Sequence, residues 1–144
     1  MSEPFKTSLP NSLLDAYRRT HYCVGDDASG FVLHVDAFSS ALYALMHAKN
    51  LRNAAFITAW NPHGVPTPIA ENRQSNAHLE ALLHEQARLV LRGVGRAPSG
   101  SWSEESFLSL GLSKTAAIAL ATAFRQNAFL WASDDAIPRL ILLR

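Results

Sequence analysis

The chain has 144 residues, of which 48% are hydrophobic and 17% are charged, and its formal net charge is +1. This length suits one domain with a real core, and the composition excludes a wholly disordered protein. The near-neutral charge gives no overall reason to bind nucleic acid or an anionic membrane, and the single Cys23 excludes an internal disulfide framework.

The N-terminal residues 1–6 lack the apolar centre of a signal peptide, and no apolar run is long enough to span a membrane. We therefore expect a cytoplasmic protein without a membrane partner. Residues 1–10 have no hydrophobic period and are expected to form a loose tail at the start of a single domain, 1–144.

Hydrophobic periodicity and turn residues predict the helices and strands that follow this tail. The predicted helices are, in order, 11–19, 39–50, 67–86 and 113–127. The predicted strands are, in order, 20–24, 31–36, 53–60, 87–94, 105–110, 128–132 and 139–143. The suitable N-terminal caps of these helices are Asn11 or Ser12, Ser39 or Ser40, Thr67, and Ser113.

The strand Asn53–Trp60 is apolar on both faces and stops abruptly at the turn residues Asn61-Pro62-His63-Gly64. A strand of this kind belongs in the interior of a sheet and leads into an exposed loop. By contrast, Arg88 and Arg92 fall on one face of strand 87–94, which predicts a protected sheet edge.

The helix 67–86 is predicted to begin with the capping hydroxyl of Thr67, followed by Pro68 in the first turn. Leu79 marks its buried side. Counting back from Leu79 by three and four places Asn72 and Asn76 on or beside the same inward stripe. Two amides are therefore expected at the helix end nearest the Asn61 loop.

The order of elements between residues 53 and 132 is strand, helix, strand, strand, helix, strand, which matches the ferredoxin-like βαββαβ pattern. We predict a single α+β domain with a mixed or mostly antiparallel sheet and about four helices. A helix and a β-hairpin precede its βαββαβ core.

Several separated motifs carry a resemblance. They are Thr58-Ala59-Trp60-Asn61-Pro62, then Asn72, then Trp102-Ser103-Glu104-Glu105-Ser106 after a Gly/Pro loop, and finally Gln126-Asn127-Ala128. Together they resemble an uncharacterised bacterial family, domain of unknown function 3293, in which a Trp-x-Glu-x-Ser motif precedes a strand. We assign the carboxylate to Glu105, three residues after Trp102. The resemblance covers nearly the whole chain and implies no reaction, substrate or cofactor.

The candidate ligand-binding residues are polar or aromatic side chains near predicted strand and helix ends. They are Asn61, Asn72, Asn76, Trp102, Glu105 and Gln126. Several amides and one carboxylate can orient a small polar or anionic ligand. Alternatively, the amides satisfy loop backbone and Glu105 caps a helix or pairs with an arginine, while tryptophans close the end of a core.

Three functions follow from these residues. The first is a binding module for a small polar or anionic molecule at the Asn61-Pro62 loop. The second is an enzyme in which Glu105 and His63 act as an acid–base pair. The third is a protein-interaction subunit with an exposed apolar patch.

The remaining site types lack their sequence signals. No spacing of His, Cys and carboxylate residues indicates a metal, and no helix begins behind Gly93-Val94-Gly95, so we expect neither metal nor cofactor. The arginines lack interleaved aromatic residues, so we expect no nucleic-acid partner. The sequence leaves the oligomeric state open.

Overall fold

The computed structural model describes residues 6–26 and 28–144, which form four α-helices and seven β-strands. The helices are α1 (Asn11–Arg19), α2 (Ser40–Lys49), α3 (Ile69–Gln86) and α4 (Lys114–Ala123). The strands are β1 (His21–Val24), β2 (Phe31–Leu33), β3 (Ala54–Ile57), β4 (Leu89–Arg96), β5 (Ser103–Leu110), β6 (Ala128–Ala132) and β7 (Arg139–Leu142). The predicted single α+β domain is confirmed. Of the predicted tail, residues 1–5 lie outside the described residues, and Leu9 is buried.

The described strands form one antiparallel sheet in the order β2-β1-β4-β5-β3-β6-β7. β3 lies between β5 and β6, and its Phe56 and Ile57 are buried, so the predicted interior strand is confirmed. α3 joins β3 to β4 with β5 between them, and α4 joins β5 to β6 with β3 between them. The element order of the predicted βαββαβ core is present, and the ferredoxin-like comparison stays a prediction.

The sheet buries apolar side chains on both faces because successive residues of a strand point to opposite sides. On one face, Phe56 and Leu108 belong to a core that includes residues of α2. On the other face, Ile57 and Phe107 pack with residues of α3 and α4. Neighbouring residues of β5 therefore enter different environments.

β4 is an interior strand between β1 and β5, so the predicted sheet edge is wrong. Arg92 is exposed, and its guanidinium donates to both carboxylate oxygens of Glu80 in α3, at 3.1 and 3.3 Å. An arginine is compatible with this interior strand because the helix that packs over the strand supplies its partner.

Two of the predicted caps are confirmed. The Ser39 hydroxyl oxygen accepts a hydrogen bond from the Leu42 amide, and that of Ser113 accepts one from the Ala116 amide, each at 3.1 Å. α1 instead starts at Asn11 itself, directly after Pro10 and without a side-chain cap. A proline there leaves the cap position without a side-chain acceptor, so neither Asn11 nor Ser12 serves as the cap.

The predicted Thr67 cap is also wrong, because α3 starts one residue later than expected, directly after Pro68. The Thr67 hydroxyl donates to the Val65 carbonyl at 2.9 Å instead. The predicted phase of the helix is nevertheless confirmed, since Asn72 and Asn76 are both buried on the side that contacts the sheet.

Candidate functional site

A cavity of about 320 Å³ lies where β3 ends and β5 and β6 begin, and residues of α1, β1 and β4 complete its wall. Much of its lining is aromatic, from Tyr17, Tyr22, Phe56, Trp60, Trp102 and Phe129. Three of the predicted site residues line it, namely Asn61, Trp102 and Gln126. An apolar cavity of this size with a few polar groups is typical of a small-molecule site.

Glu104 is the single charged side chain in the lining of this cavity, as far as the described residues go. Within residues 6–26 and 28–144, no lysine, arginine or histidine forms an ion pair with it. Burial raises the pKa of Glu104 from its ordinary value of 4.5 to about 7. No described group supplies a compensating hydrogen bond or positive charge.

The space beside Glu104 follows from the strand register. Tyr22 pairs with Gly95, and Gly95 pairs with Glu104, so the three residues form one row across β1, β4 and β5. A Cβ atom added at Gly95 would have its nearest neighbours at 3.9 Å. At Gly93 it would lie 2.4 Å from the Cys23 carbonyl oxygen. Packing therefore requires a glycine at position 93, whereas at Gly95 a Cβ atom fits in ordinary van der Waals contact with Thr20 and Tyr22.

Two phenols lie within electrostatic reach of Glu104. The Tyr22 hydroxyl donates to the Tyr17 carbonyl at 2.8 Å, which ties β1 to α1. Burial raises the pKa of Tyr17 and of Tyr22, and the negative charge of Glu104 raises both by a smaller amount. Both phenols therefore stay protonated around neutral pH and give the cavity polar groups without positive charge.

The rim of the cavity is held by the amides of Asn61 and Asn72. The Asn72 amide nitrogen donates to Asn61 Oδ1 at 2.8 Å and to the Thr67 carbonyl at 3.1 Å. Its oxygen accepts from the Asn61 backbone amide at 2.8 Å. The amide nitrogen and oxygen of Asn72 thus bond to other groups of the protein. Asn61 Nδ2, by contrast, forms no hydrogen bond within the described residues.

Asn76 has a similar structural role between α3 and the strand ends. Its amide nitrogen donates to the Glu105 carbonyl at 2.7 Å, and its oxygen accepts from the Ala59 amide at 2.8 Å. The Thr58 hydroxyl also donates to the Glu105 carbonyl, at 2.7 Å. These bonds fix where β5 lies relative to the end of β3, and hence the position of Glu104.

Glu105 does not line the cavity, which differs from the site expected from the sequence. Its side chain is 49% exposed and pairs with Arg73 of α3 at 3.3 Å. Alternation along β5 is the reason, since a shift of one residue moves a side chain to the other face. The spacing Trp-x-Glu-x-Ser itself fits Trp102, Glu104 and Ser106, all of which line the cavity. This spacing was the sequence signal that could have identified Glu104.

His63 does not line the cavity and is exposed, so the structure gives it no place beside either glutamate. Its backbone amide donates to the Arg125 carbonyl at 2.7 Å. Asn61, His63 and Arg125 have positive φ angles of 46°, 55° and 58°. Gln126 is buried and donates to the Trp60 carbonyl at 3.2 Å. Left-handed non-glycine residues thus cluster where the loop after β3 meets the loop before β6, as backbone strain often does at sites.

Residues 57–129, just over half of the chain, match the model of the family described as "Protein of unknown function (DUF3293)". The chain belongs to this family. The family expected from the motifs is thereby confirmed. No curated protein and no solved structure gives a significant match.

The DUF3293 match runs from the end of β3 into β6 and therefore includes Glu104, Trp102 and Gln126. Tyr17 of α1 and Tyr22 of β1, which complete the wall, lie before it. The described part of the chain contains no cluster of three His, Cys, Asp or Glu residues suited to a metal ion. No helix in it combines the length and apolarity of a membrane span.

Proposed function

We propose that this protein is a small-molecule-binding domain and that the cavity beside Glu104 is its binding site. The observation that carries the proposal is a partly buried carboxylate that faces a cavity of about 320 Å³ without a partner among the described residues. An unpaired buried carboxylate is costly for a fold, and such groups in clefts are concentrated at functional sites.

The organisation of the rim supports the same proposal. The bonds between Asn61 and Asn72, and that from Gln126 to Trp60, hold the loops around the opening before any ligand arrives. Preorganised loops of this kind reduce the ordering cost of binding. The strained backbone at His63 and Arg125 adds to that support.

The charge of the lining favours one part of the ligand class expected from the sequence. No lysine, arginine or histidine lines the cavity in the described part of the chain, and its charged residue is Glu104. An anionic ligand would meet repulsion there without a compensating cation. We therefore propose that the ligand is a small polar molecule and not an anion.

The proposal is tested with a variant that fills the cavity. Gly95→Val adds a Cβ atom, whose nearest neighbours lie at 3.9 Å, and two methyl groups on the face of β4 that carries the row of Tyr22 and Glu104. Val94 directly precedes Gly95, and its side chain lies on the opposite face of β4, so Val94→Ile is the matched control. Thermal unfolding is followed for the parent and both variants in the presence of a library of small polar metabolites.

We expect at least one compound to raise the melting temperature of the parent and of Val94→Ile but not that of Gly95→Val. If no compound shifts the parent, or if Gly95→Val responds as strongly as the parent, the proposed site is wrong.

A second candidate function is an enzyme in which Glu104 acts as general acid or base. The pKa of about 7 favours it, since a catalytic group works best when it titrates near the working pH. This candidate replaces the pair of Glu105 and His63, because Glu105 pairs with Arg73 and neither residue lines the cavity. Turnover of a compound found in the screen, abolished by Glu104→Gln and retained by Glu105→Gln, would distinguish catalysis from binding alone.

A further inference from the structure

We infer that the cavity binds a small organic cation, with an ammonium or guanidinium group against Glu104 and an apolar or aromatic body against the rings. This inference rests on the proposed function and specifies the chemistry of its ligand.

Charge is the first argument. The other ionisable groups that face Glu104 across the cavity are the phenols of Tyr17 in α1 and Tyr22 in β1. The lining residues of β3, β4, β6 and β7 add no ionisable side chain. A cation is the ligand charge that offsets the cost of burying the Glu104 carboxylate, and the described residues leave that place to a ligand.

Free hydrogen-bonding groups are the second argument. The Gln126 amide nitrogen donates to the Trp60 and Phe124 carbonyls at 3.2 and 3.3 Å, and this orients the amide. Gln126 Oε1 accepts no hydrogen bond from any described residue. Together with Glu104 it gives the cavity acceptors for the N–H groups of a cation. Asn61 Nδ2 remains as a donor to an acceptor atom elsewhere on the ligand.

The aromatic lining is the third argument. Trp102 is 41% exposed although it lines the cavity, and Trp60 lines it from the loop after β3. The faces of aromatic rings attract organic cations, and aromatic cages are a recurring means of recognising quaternary ammonium groups. A tryptophan left this exposed gains its contact surface when the body of a ligand packs against it.

The test uses three probes of similar shape, phenethylamine, 2-phenylethanol and phenylacetate, with binding measured by calorimetry at pH 6 and pH 8. The ammonium group of phenethylamine stays protonated over this range. We expect phenethylamine to bind best, and about tenfold more tightly at pH 8 than at pH 6, because Glu104 titrates at a pKa of about 7. Glu104→Gln should weaken its binding by at least about tenfold and remove the pH dependence. Glu105→Gln, the matched control, should leave both unchanged.

Tighter binding of either uncharged or anionic probe would overturn the inference, as would amine binding that is unchanged in Glu104→Gln. So would the absence of amine binding. None of these outcomes tests the proposed function itself, which is tested by the library screen with Gly95→Val. Failure of this inference is therefore distinguishable from failure of the proposed function. The pH dependence of the parent protein tests the inference even if Glu104→Gln fails to fold.

Discussion

Glu104 and Glu105 are neighbours on β5 and lie in opposite environments. Glu104 faces the cavity, has no cationic partner among the described residues, and has a pKa raised to about 7. Glu105 is 49% exposed and pairs with Arg73 at 3.3 Å. The face of the strand, and not the local composition, therefore decides what a carboxylate can do here.

The helices on the two faces explain the difference. On the side of Glu105, α3 supplies Arg73 as a partner and also Glu80, which pairs with Arg92 of β4. On the side of Glu104, α1 contributes Leu13, Ala16 and Tyr17 to the cavity wall and no cation. One face therefore neutralises its charges internally, whereas the other leaves a carboxylate available.

The largest expected effect comes from removing the side chain of Asn76, whose hydrogen bonds join α3 to the end of β3 and to β5. Asn76→Ala removes the partner of the Ala59 amide, at 2.8 Å, and one of the two donors to the Glu105 carbonyl, which keeps the Thr58 hydroxyl at 2.7 Å. The unsatisfied buried amide costs about 1–3 kcal/mol and the lost bond to the carbonyl about 1 kcal/mol, so we expect the free energy of unfolding in urea to fall by about 2–4 kcal/mol. Gln74→Ala, at an exposed position of α3, is the control. A loss below about 1 kcal/mol would contradict the structural role of Asn76.

The next effect tests the cost of the unpaired carboxylate. Burial raises the pKa of Glu104 in the folded state above its ordinary value of 4.5, so its contribution is neutral below that pH, becomes more destabilising as pH rises from 4.5 to about 7, and is constant above that. Relative to the parent, Glu104→Gln should therefore be about 1–3 kcal/mol more stable at pH 8 than at pH 4. Urea unfolding at the two pH values measures this difference. An equal effect of the substitution at both would contradict the raised pKa.

A smaller effect is expected on the other face of the strand. Glu105→Gln breaks an exposed ion pair with Arg73, which is worth at most about 1 kcal/mol. Salt should weaken even this effect, because it screens exposed charges. Unfolding at low and high ionic strength provides the measurement. Stabilisation at pH 8 comparable to that of Glu104→Gln would remove the contrast between the two glutamates.

The smallest effect concerns the loop that leads from the cavity rim into α3. The Thr67 hydroxyl bonds the Val65 carbonyl and does not cap the helix, so Thr67→Ala should cost less than about 0.5 kcal/mol. Ser113→Ala, which removes a true cap, should cost about 1 kcal/mol and serves as the reference. A loss for Thr67→Ala as large as that for Ser113→Ala would contradict this role of the Thr67 hydroxyl.

Local periodicity was sufficient for much of the fold. It predicted the α+β class, the interior position of β3 and the bounds of β6 at Ala128–Ala132. It also placed Asn72 and Asn76 on the buried side of α3 although the helix start was misplaced. These features depend on the order of apolar and polar residues within one element, which the sequence contains directly.

Three of the candidate residues chosen from the sequence line the cavity, namely Asn61, Trp102 and Gln126. Each could be chosen because it lies close to one end of a strand. Tertiary structure decided the rest. The glutamate of β5 that faces the cavity is determined by the strand register, since a shift of one residue would exchange the two faces. Arg92 can lie on an interior strand because Glu80 of α3 accepts its hydrogen bonds. The cavity beside Glu104 depends on the row of Tyr22, Gly95 and Glu104 across three strands and on α1, which completes the wall. The Trp-x-Glu-x-Ser spacing was a local signal for Glu104, but the other contacts join residues far apart in the chain, so no local pattern could predict them.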